Sequence, residues 1–277
     1  MLGSVSEAED VVQEALLRVH QVRQAGEQIP SPRALVATVT TRLAINELQS
    51  ARARRERYVG EWLPEPIITD DDPALRAELA DSLSLAMLVL LESLSPEQRA
   101  ALLLHDVFGY GYAEIAPIVR KSEDNVRQLA SRARRHVEQR RPRFATTREQ
   151  RDELASRFFS AVQHGDLAGL EALLAADVVL TGDGGGKVPA LTESLRGRVR
   201  IARLLVDSVV ARLPRLRLVE VNSGPGALLF DAQERLIGVM ALDIAGDQIS
   251  GIHSIVNPDK LGHLRAFGDV GSLLQAP

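Results

Sequence analysis

The chain has 277 residues, 45% of them hydrophobic, which suffices for two packed domains and excludes a wholly disordered polymer. Cysteine is absent, so disulfide scaffolds, thiolate metal sites and cysteine nucleophiles are excluded as well. The net charge of −4 argues against nucleic acid only if it is spread evenly, and it is not.

Arg52, Arg54, Arg55 and Arg57 form one basic cluster, and Arg127, Arg132, Arg134, Arg135, Arg140, Arg141 and Arg143 form a second. Between them lie Glu61, Glu65, Asp70, Asp71, Asp72, Glu78 and Asp81. A phosphate backbone responds to this local field rather than to the total. The longest apolar run, Leu83 to Leu91, is far short of the roughly 20 residues that span a bilayer, and the amino terminus is acidic. A cytoplasmic location without membrane contact is expected.

In chain order, Ser6-Glu7-Ala8-Glu9 has the pattern of a capping box, followed by Ala8, Val11, Val12, Ala15, Leu16 and Val19 at helical spacing. Asp10, Gln13 and Glu14 then occupy an acidic outer face. Ser31-Pro32 starts a second helix carrying Leu35, Val36, Val39, Leu43 and Leu48 inward, with Arg42, Asn46 and Gln49 on its polar side. Periodicity stops at Tyr58 to Pro73, where Pro64 and Pro66 bar helix and central strand. It resumes from Ala74 to Leu94, and Ser95-Pro96-Glu97-Gln98 begins another helix that is expected to end at Gly109 and Gly111.

A short helix around Ala113 to Val119, a break at Arg120-Lys121-Ser122 and a longer helix from Glu123 read as a helix-turn-helix. Val126, Leu129, Ala130, Ala133 and Val137 form the apolar stripe of the longer helix, leaving Asp124, Arg127, Gln128, Ser131 and Arg135 to face a partner. A solvated arginine face on an ordinary helical hairpin is the plainer alternative. Pro117 implies that the short helix is kinked or starts later.

Beyond Thr147 two helices, Arg148 to Gln163 and Asp166 to Ala175, precede a short run Val178 to Leu180 and a glycine turn at Gly182 to Gly186. A helix near Val199 to Leu213 is followed by strand-like runs at Leu216–Val221, Ala227–Phe230, Leu236–Leu242 and Ile249–Val256. Helices first and a mostly antiparallel sheet later describe an α+β domain.

Leu94 to Arg99, Gly111 to Ala116 and Val126 to Arg134 together resemble region 4 of an extracytoplasmic-function sigma factor, and Ala8 to Ala15 resembles region 2. Trp62-Leu63-Pro64-Glu65-Pro66, Asp183-Gly184-Gly185-Gly186-Lys187 and Asn257-Pro258-Asp259-Lys260-Leu261 resemble the motifs of sigma factors with a fused SnoaL-like carboxy-terminal domain, the SigJ-type subgroup. The resemblance implies a multidomain fold: all-α region 2 over 1–60, a linker over 61–74, a region 4 helix-turn-helix over 75–145, and an α+β cone-shaped domain over 146–277. Met1-Leu2-Gly3-Ser4 resembles an interior stretch of the pattern, so region 2 is expected to be truncated or its start to lie upstream.

The implied partners are core RNA polymerase and promoter DNA. Asp10, Gln13 and Glu14 would dock on the basic clamp helices of the polymerase. Arg42, Asn46 and Gln49 would meet the minus-ten element, with Arg52, Arg54 and Arg55 on phosphates, although Asn46-Glu47-Leu48-Gln49 is less basic than the family usually shows. Asp124, Asn125, Arg127, Gln128, Ser131, Arg132 and Arg135 would serve the minus-thirty-five element. The three outlying motifs would form an intramolecular regulatory contact of the carboxy-terminal domain with region 2 and the Trp62 linker, with Lys187 and Lys260 meeting Glu65 or other linker acids.

No catalytic residue, metal or cofactor is assigned. Gly182 to Lys187 fails as a phosphate loop because Thr181 and Val188 stand where glycine and Ser/Thr are needed. His253 with Asp177, Asp183 or Asp243 could form an acid/base pair, and a hydrogen-bonded structural histidine is the plainer reading. The alternative function is a SnoaL-like enzyme or ligand sensor with a degenerate, non-transcribing helical half. A free-standing DNA-binding regulator is a third reading.

Overall fold

A computed structural model describes residues 1–26, 28–55, 58–69, 85–138, 146–207 and 215–264. Arg57, Asp70, Asp71, Asp72, Glu78, Asp81, Arg140, Arg141 and Arg143 lie outside the described residues, as do the side chains of Arg52, Arg54 and Arg55. The chain forms two compact units, one of Met1–Arg57 with Leu88–Arg141, the other of Tyr58–Met87 with Pro142–Pro277.

In the first unit α1 spans Val5–Gln24 and α2 spans Pro32–Arg55. Ser4, not Ser6, caps α1 by accepting from the Glu7 N–H at 3.2 Å, so the helix begins before the expected capping box. Only Val11 and Ala15 of α1 are buried; Val12, Leu16 and Leu17 are 50%, 63% and 58% exposed, and Val36 of α2 is also exposed. The apolar stripe is therefore wider than the surface that α2 covers. Leu2, Val11, Ala44 and Leu48 make the small core between the two helices.

Helix α3 covers Leu85–Glu92 and α4 covers Pro96–Leu102. Ser95 and Gln98 complete the expected capping box, which satisfies two otherwise orphaned N–H groups. The helix continues past Leu104 as a π-helical segment, Leu103–Val107, before Gly109 at φ 70° turns the chain. Helix α5, Tyr112–Val119, keeps Pro117 inside it and starts no later than expected. Lacking its N–H, the proline removes one backbone bond, and α5 ends two residues on, at Val119, ahead of left-handed Arg120. Helix α6, Glu123–Glu138, buries Val126, Ala130, Ala133 and Val137. Ile115, Ile118 and Val126 pack on Ala100, Ala101 and Leu104 to form the helix-turn-helix core.

The second unit carries α7 (Arg148–His164), α8 (Leu167–Leu173), α9 (Arg198–Leu205) and the one-turn α10 (Pro258–Leu261). Its strands are β1 (Leu174–Asp183), β2 (Leu195–Arg196), β3 (Arg215–Val221), β4 (Gly224–Phe230), β5 (Leu236–Ala245) and β6 (Gln248–Ile255). The sheet order is β2-β1-β6-β5-β4-β3, with only β1 and β6 parallel. Strand β1 begins at Leu174, inside what was expected to be the end of the second helix, and takes in Gly182 and Asp183 from the expected turn.

Phe158, Phe159, Leu170, Val178, Leu180, Ile201, Leu242 and Ile252 fill the space between helices and sheet. Each fully buried side chain of this kind contributes about 1.5–3 kcal/mol. Since side chains alternate along a strand, Thr181, Asp183, His253 and Asp243 point to the opposite sheet face from Leu180, Ile252 and Leu242.

Candidate functional site

Two sets of residues stand out. The first is the exposed surface of the helical unit. Asp10 and Gln13 are exposed on α1, and Glu14 is held by Arg18 at 2.8 Å. On α2, Asn46 and Gln49 are exposed, but the Arg42 guanidinium donates to the carbonyls of Pro117 at 2.7 Å and Ile118 at 3.1 Å. Arg42 thus closes the carboxy-terminal end of α5, where helix carbonyls lack partners.

On α6, Asp124, Asn125, Arg127, Gln128, Ser131, Arg132 and Arg135 are all exposed on one side of the buried stripe. Ser122 accepts from the Asn125 N–H at 3.3 Å and so marks the start of this helix. Arg127 is pre-positioned by Glu123 at 2.9 Å, by Asp124 at 3.5 Å and by the Tyr112 ring 5.5 Å away. Arg134 does not join this outer face; it makes a two-pronged pair with Asp106 and donates to the Tyr112 hydroxyl.

The second set is a clasp between the linker and the carboxy-terminal sheet domain, wholly within the second unit. Asp183, 0% exposed at the end of β1, is its centre. Its Oδ1 accepts from the Tyr58 hydroxyl at 2.5 Å and the Gly185 N–H at 3.1 Å; its Oδ2 accepts from the Leu63 N–H at 2.8 Å and Lys260 Nζ at 2.6 Å. Four donors saturate the carboxylate. Lys260 also donates to the Leu63 carbonyl, and its ammonium lies 3.9 Å from the Trp62 ring centroid and 5.2 Å from that of Tyr58. A buried ammonium is tolerable in this setting because a carboxylate, a carbonyl and two aromatic faces replace its water.

Asn257 caps α10 by accepting from the Asp259 N–H and gives its own amide to the Tyr58 hydroxyl at 2.8 Å. Burial, reinforced by Asp183, pushes the Tyr58 phenol well above its ordinary pKa and keeps it a donor. Gly185 has φ 61°, and a Cβ there would come within 2.4 Å of Asn257 Nδ2, so the turn requires glycine. Leu63, Pro64 and Pro66 are buried, while Pro258 and Glu65 are partly covered. Lys187 pairs with Asp259 at 2.6 Å and not with Glu65, because its own turn lies beside α10. Gly184 and Leu261 are buried and Gly186 is exposed.

Several clasp residues have no counterpart among the sequence expectations. Tyr58 is one, and its rarity in a chain of 4% aromatic content was the available signal. Others lie further along the linker: the Ile67 carbonyl accepts from the Asn222 N–H at 2.7 Å and the Ile67 N–H donates to the Asn222 side-chain Oδ1 at 3.1 Å, the Thr69 N–H donates to the Glu220 carbonyl at 2.9 Å, and Ile68 bridges Val221. His263 contacts the Pro66 carbonyl at 2.9 Å.

Of the three acids considered for His253, Asp243 is the partner, at 2.8 Å. The pair lies on the sheet face opposite α7, α8 and α9, away from the apolar interior of the cone. Among the described residues no group of three or more His, Asp and Glu could hold a metal ion, and no helix is long and apolar enough to cross a membrane.

A helix-turn-helix behind a second helical module, joined to an α+β domain, defines a class of promoter-recognition protein. Family models agree: Sigma-70 region 2 matches residues 1–54 and Sigma-70, region 4 matches residues 84–137. The chain is 35% identical to the ECF RNA polymerase sigma factor SigJ of Mycobacterium tuberculosis, over 94% of this chain and 87% of that protein. It is 33% identical to the same organism's SigI, over 96% and 90% of the two chains. The crystal structure of M. tuberculosis SigJ superposes with a TM-score of 0.75 at 34% identity, covering 94% of this chain and 91% of that one.

The chain therefore belongs to the extracytoplasmic-function family of RNA polymerase sigma factors. Its function is that of a sigma factor, which takes core RNA polymerase to promoters to begin transcription, and its carboxy-terminal domain is SnoaL-like. An enzyme with a vestigial helical half is not favoured, since both sigma regions match.

Proposed function

We propose that this sigma factor is controlled by its own carboxy-terminal domain, which grips the linker and so governs how the two promoter-binding modules separate. The observation that carries the reading is the Asp183 carboxylate, shared among Tyr58 and Leu63 of the linker, Gly185 of the glycine turn and Lys260 of α10. Linker motif, glycine motif and terminal motif thus meet at one buried group. The modules are taken as 1–60, 75–145 and 146–277, with the linker at 61–74. The domain acts here as a brake and not as a catalyst, in the cytoplasm.

Asp10, Gln13 and Glu14 form the polymerase-facing acidic surface, steered to a basic partner by charge. Asn46 and Gln49 face the minus-ten element, joined by Arg52, Arg54 and Arg55, and by Arg42 once it leaves the α5 carbonyls. Asp124, Asn125, Arg127, Gln128, Ser131, Arg132 and Arg135 engage the minus-thirty-five element through base edges and phosphates. Transcription from a cognate promoter by core polymerase tests the brake, comparing the full chain with one lacking residues after Ala145 and with Asp183→Asn. Both changes raise or redirect initiation if the clasp restrains the modules; identical transcripts in equal amount would refute it.

A further inference from the structure

Between the first turns of α7 and the β3–β4 hairpin lies a cleft of about 90 Å³, lined by Arg148, Arg151, Asp152, Glu220, Ser223 and Gly224 among others. By the same measure one water needs about 10–15 Å³, so the space admits a group of several heavy atoms. Two polar atoms of its lining residues are buried without a hydrogen-bond partner among the described residues, Arg151 Nε and Ser223 Oγ. The Arg148 charge is met by Glu220 at 2.5 Å and by Asp152 at 3.7 Å. Asp152 and Glu220 both lie on Arg148, so the two arginines and two carboxylates of the lining balance overall, but Arg151 makes no ion pair among the described residues and its guanidinium stands unpaired beside the unpartnered Ser223 hydroxyl.

The hairpin that offers this hydroxyl is itself unusual. Asn222 and Ser223 both have positive φ, 49° and 60°, in a two-residue turn whose second position ordinarily takes glycine. A serine held there bears strain that glycine would not, and it places a hydroxyl in the cleft.

The same residues hold the linker. Glu220 accepts from Arg148 on Oε2 and from the Thr69 hydroxyl on Oε1 at 3.1 Å, while the Ser223 N–H donates to that same hydroxyl at 3.1 Å. An anion that draws Arg148 toward itself takes it from Glu220, and Glu220 is one of the groups that fasten Thr69. Occupation of the cleft and attachment of the linker are thus linked through one carboxylate, as any ligand-driven shift requires.

We propose that this cleft is a regulatory site for a small oxyanion, of the carboxylate or phosphate class, whose binding is transmitted through Glu220 and Thr69 to the linker clasp. The proposal rests on the reading of the carboxy-terminal domain as a brake and supplies that brake with a signal. Arg151 and Ser223 hold the anion, Arg148 contributes its second cation, and Glu220 is the coupling group.

The full chain is titrated separately with inorganic phosphate and with acetate at constant ionic strength set by sodium chloride, by calorimetry and by fluorescence of Trp62, the chain's one tryptophan. Saturable one-site binding that changes Trp62 emission is expected, and whichever anion gives it assigns the class. Arg151→Gln and Ser223→Ala, made separately and checked for an unchanged fold by circular dichroism, are expected to weaken binding, the first by about tenfold or more. Thr69→Val is expected to keep binding while abolishing the Trp62 response.

Responses no different from those to chloride overturn the proposal, as does an affinity unchanged in Arg151→Gln. A Trp62 response that survives Thr69→Val overturns the coupling route. A brake released by truncation in a chain that binds neither anion refutes this site and leaves the regulatory reading standing.

Discussion

The Asp183 carboxylate and the Lys260 ammonium meet at 2.6 Å with side chains only 0% and 8% exposed, joining positions 77 residues apart. Removing one partner of a buried pair strands the other charge, which costs about 3–5 kcal/mol. Asp183→Asn is therefore expected to lower the urea midpoint of the carboxy-terminal unit and to shift Trp62 emission. Lys260→Met is expected to cost less, since Asp183 keeps the Tyr58, Leu63 and Gly185 donors. Equal losses in the two variants would contradict this ordering.

Gly185→Ala tests the glycine turn. The new Cβ meets Asn257 at 2.4 Å in a backbone conformation that alanine resists. A loss of about 1–3 kcal/mol is expected from strain alone, together with weakened Tyr58–Asn257 contact. Gly197→Ala is the contrasting variant, because its φ of 95° is unfavourable but nothing lies within 4 Å of the added methyl. Thermal melts of the two separate strain from collision.

On α6, Arg127→Ala and Arg132→Ala are expected to differ in kind. Arg127 is braced by Glu123, Asp124 and Tyr112, as a base-reading side chain should be, and its loss is expected to cost about 1–3 kcal/mol at one promoter position. Arg132 is exposed and makes no ion pair among the described residues, which suits a phosphate contact. Its loss would weaken all promoters alike and reduce the slope of log affinity against log salt by about 0.9. Promoter-mutant binding at several salt concentrations distinguishes the two.

Arg42→Lys keeps the charge but cannot reproduce a planar guanidinium donating to two successive carbonyls. Faster hydrogen exchange in α5 is expected, with a loss of about 1 kcal/mol in the helical unit. If Arg42 must leave those carbonyls to reach DNA, the same variant also shows a smaller change in α5 exchange on promoter binding than the parent does.

Burial works against a charged His253, yet the Asp243 charge and hydrogen bond outweigh it and raise the histidine's pKa. A raised folded pKa adds stability that is complete below the unfolded value near 6.5 and is lost as pH rises through the folded value. The carboxy-terminal unit is thus expected to be less stable at pH 8.5 than at pH 6, and Asp243→Asn to flatten that dependence. Melts across this range check the sign.

The strongly periodic segments were legible in the sequence. The α6 stripe of Val126, Ala130, Ala133 and Val137 and the four late strands follow from side-chain spacing, because a single buried face imposes it. What spacing does not contain is the width of the partner surface, so Val12 and Leu16 join the apolar pattern of α1 yet remain exposed. Ser4 and Ser6 both satisfy a local cap pattern, and only the path of the preceding chain selects Ser4.

Long-range pairing was legible only where motifs announced it. Trp62, Asp183 and Lys260 were marked as a regulatory contact, but Tyr58, Thr69, Asn222 and Glu220 were not. Their bonds join positions more than a hundred residues apart, and no local pattern encodes which turn will receive which linker residue.

That separation also sets an order of events during synthesis. Tyr58 and Leu63 leave the ribosome roughly 200 residues before Asn257 and Lys260, an interval of about 10–40 s at ordinary elongation rates. In the later part of that interval, once Arg141 has emerged, the helical unit has all of its own sequence while the linker's grip is still unmade. With the clasp acting as the proposed brake, a nascent chain passes through an unrestrained period, and encounter with polymerase while translation continues would yield a sigma factor that has never been clasped.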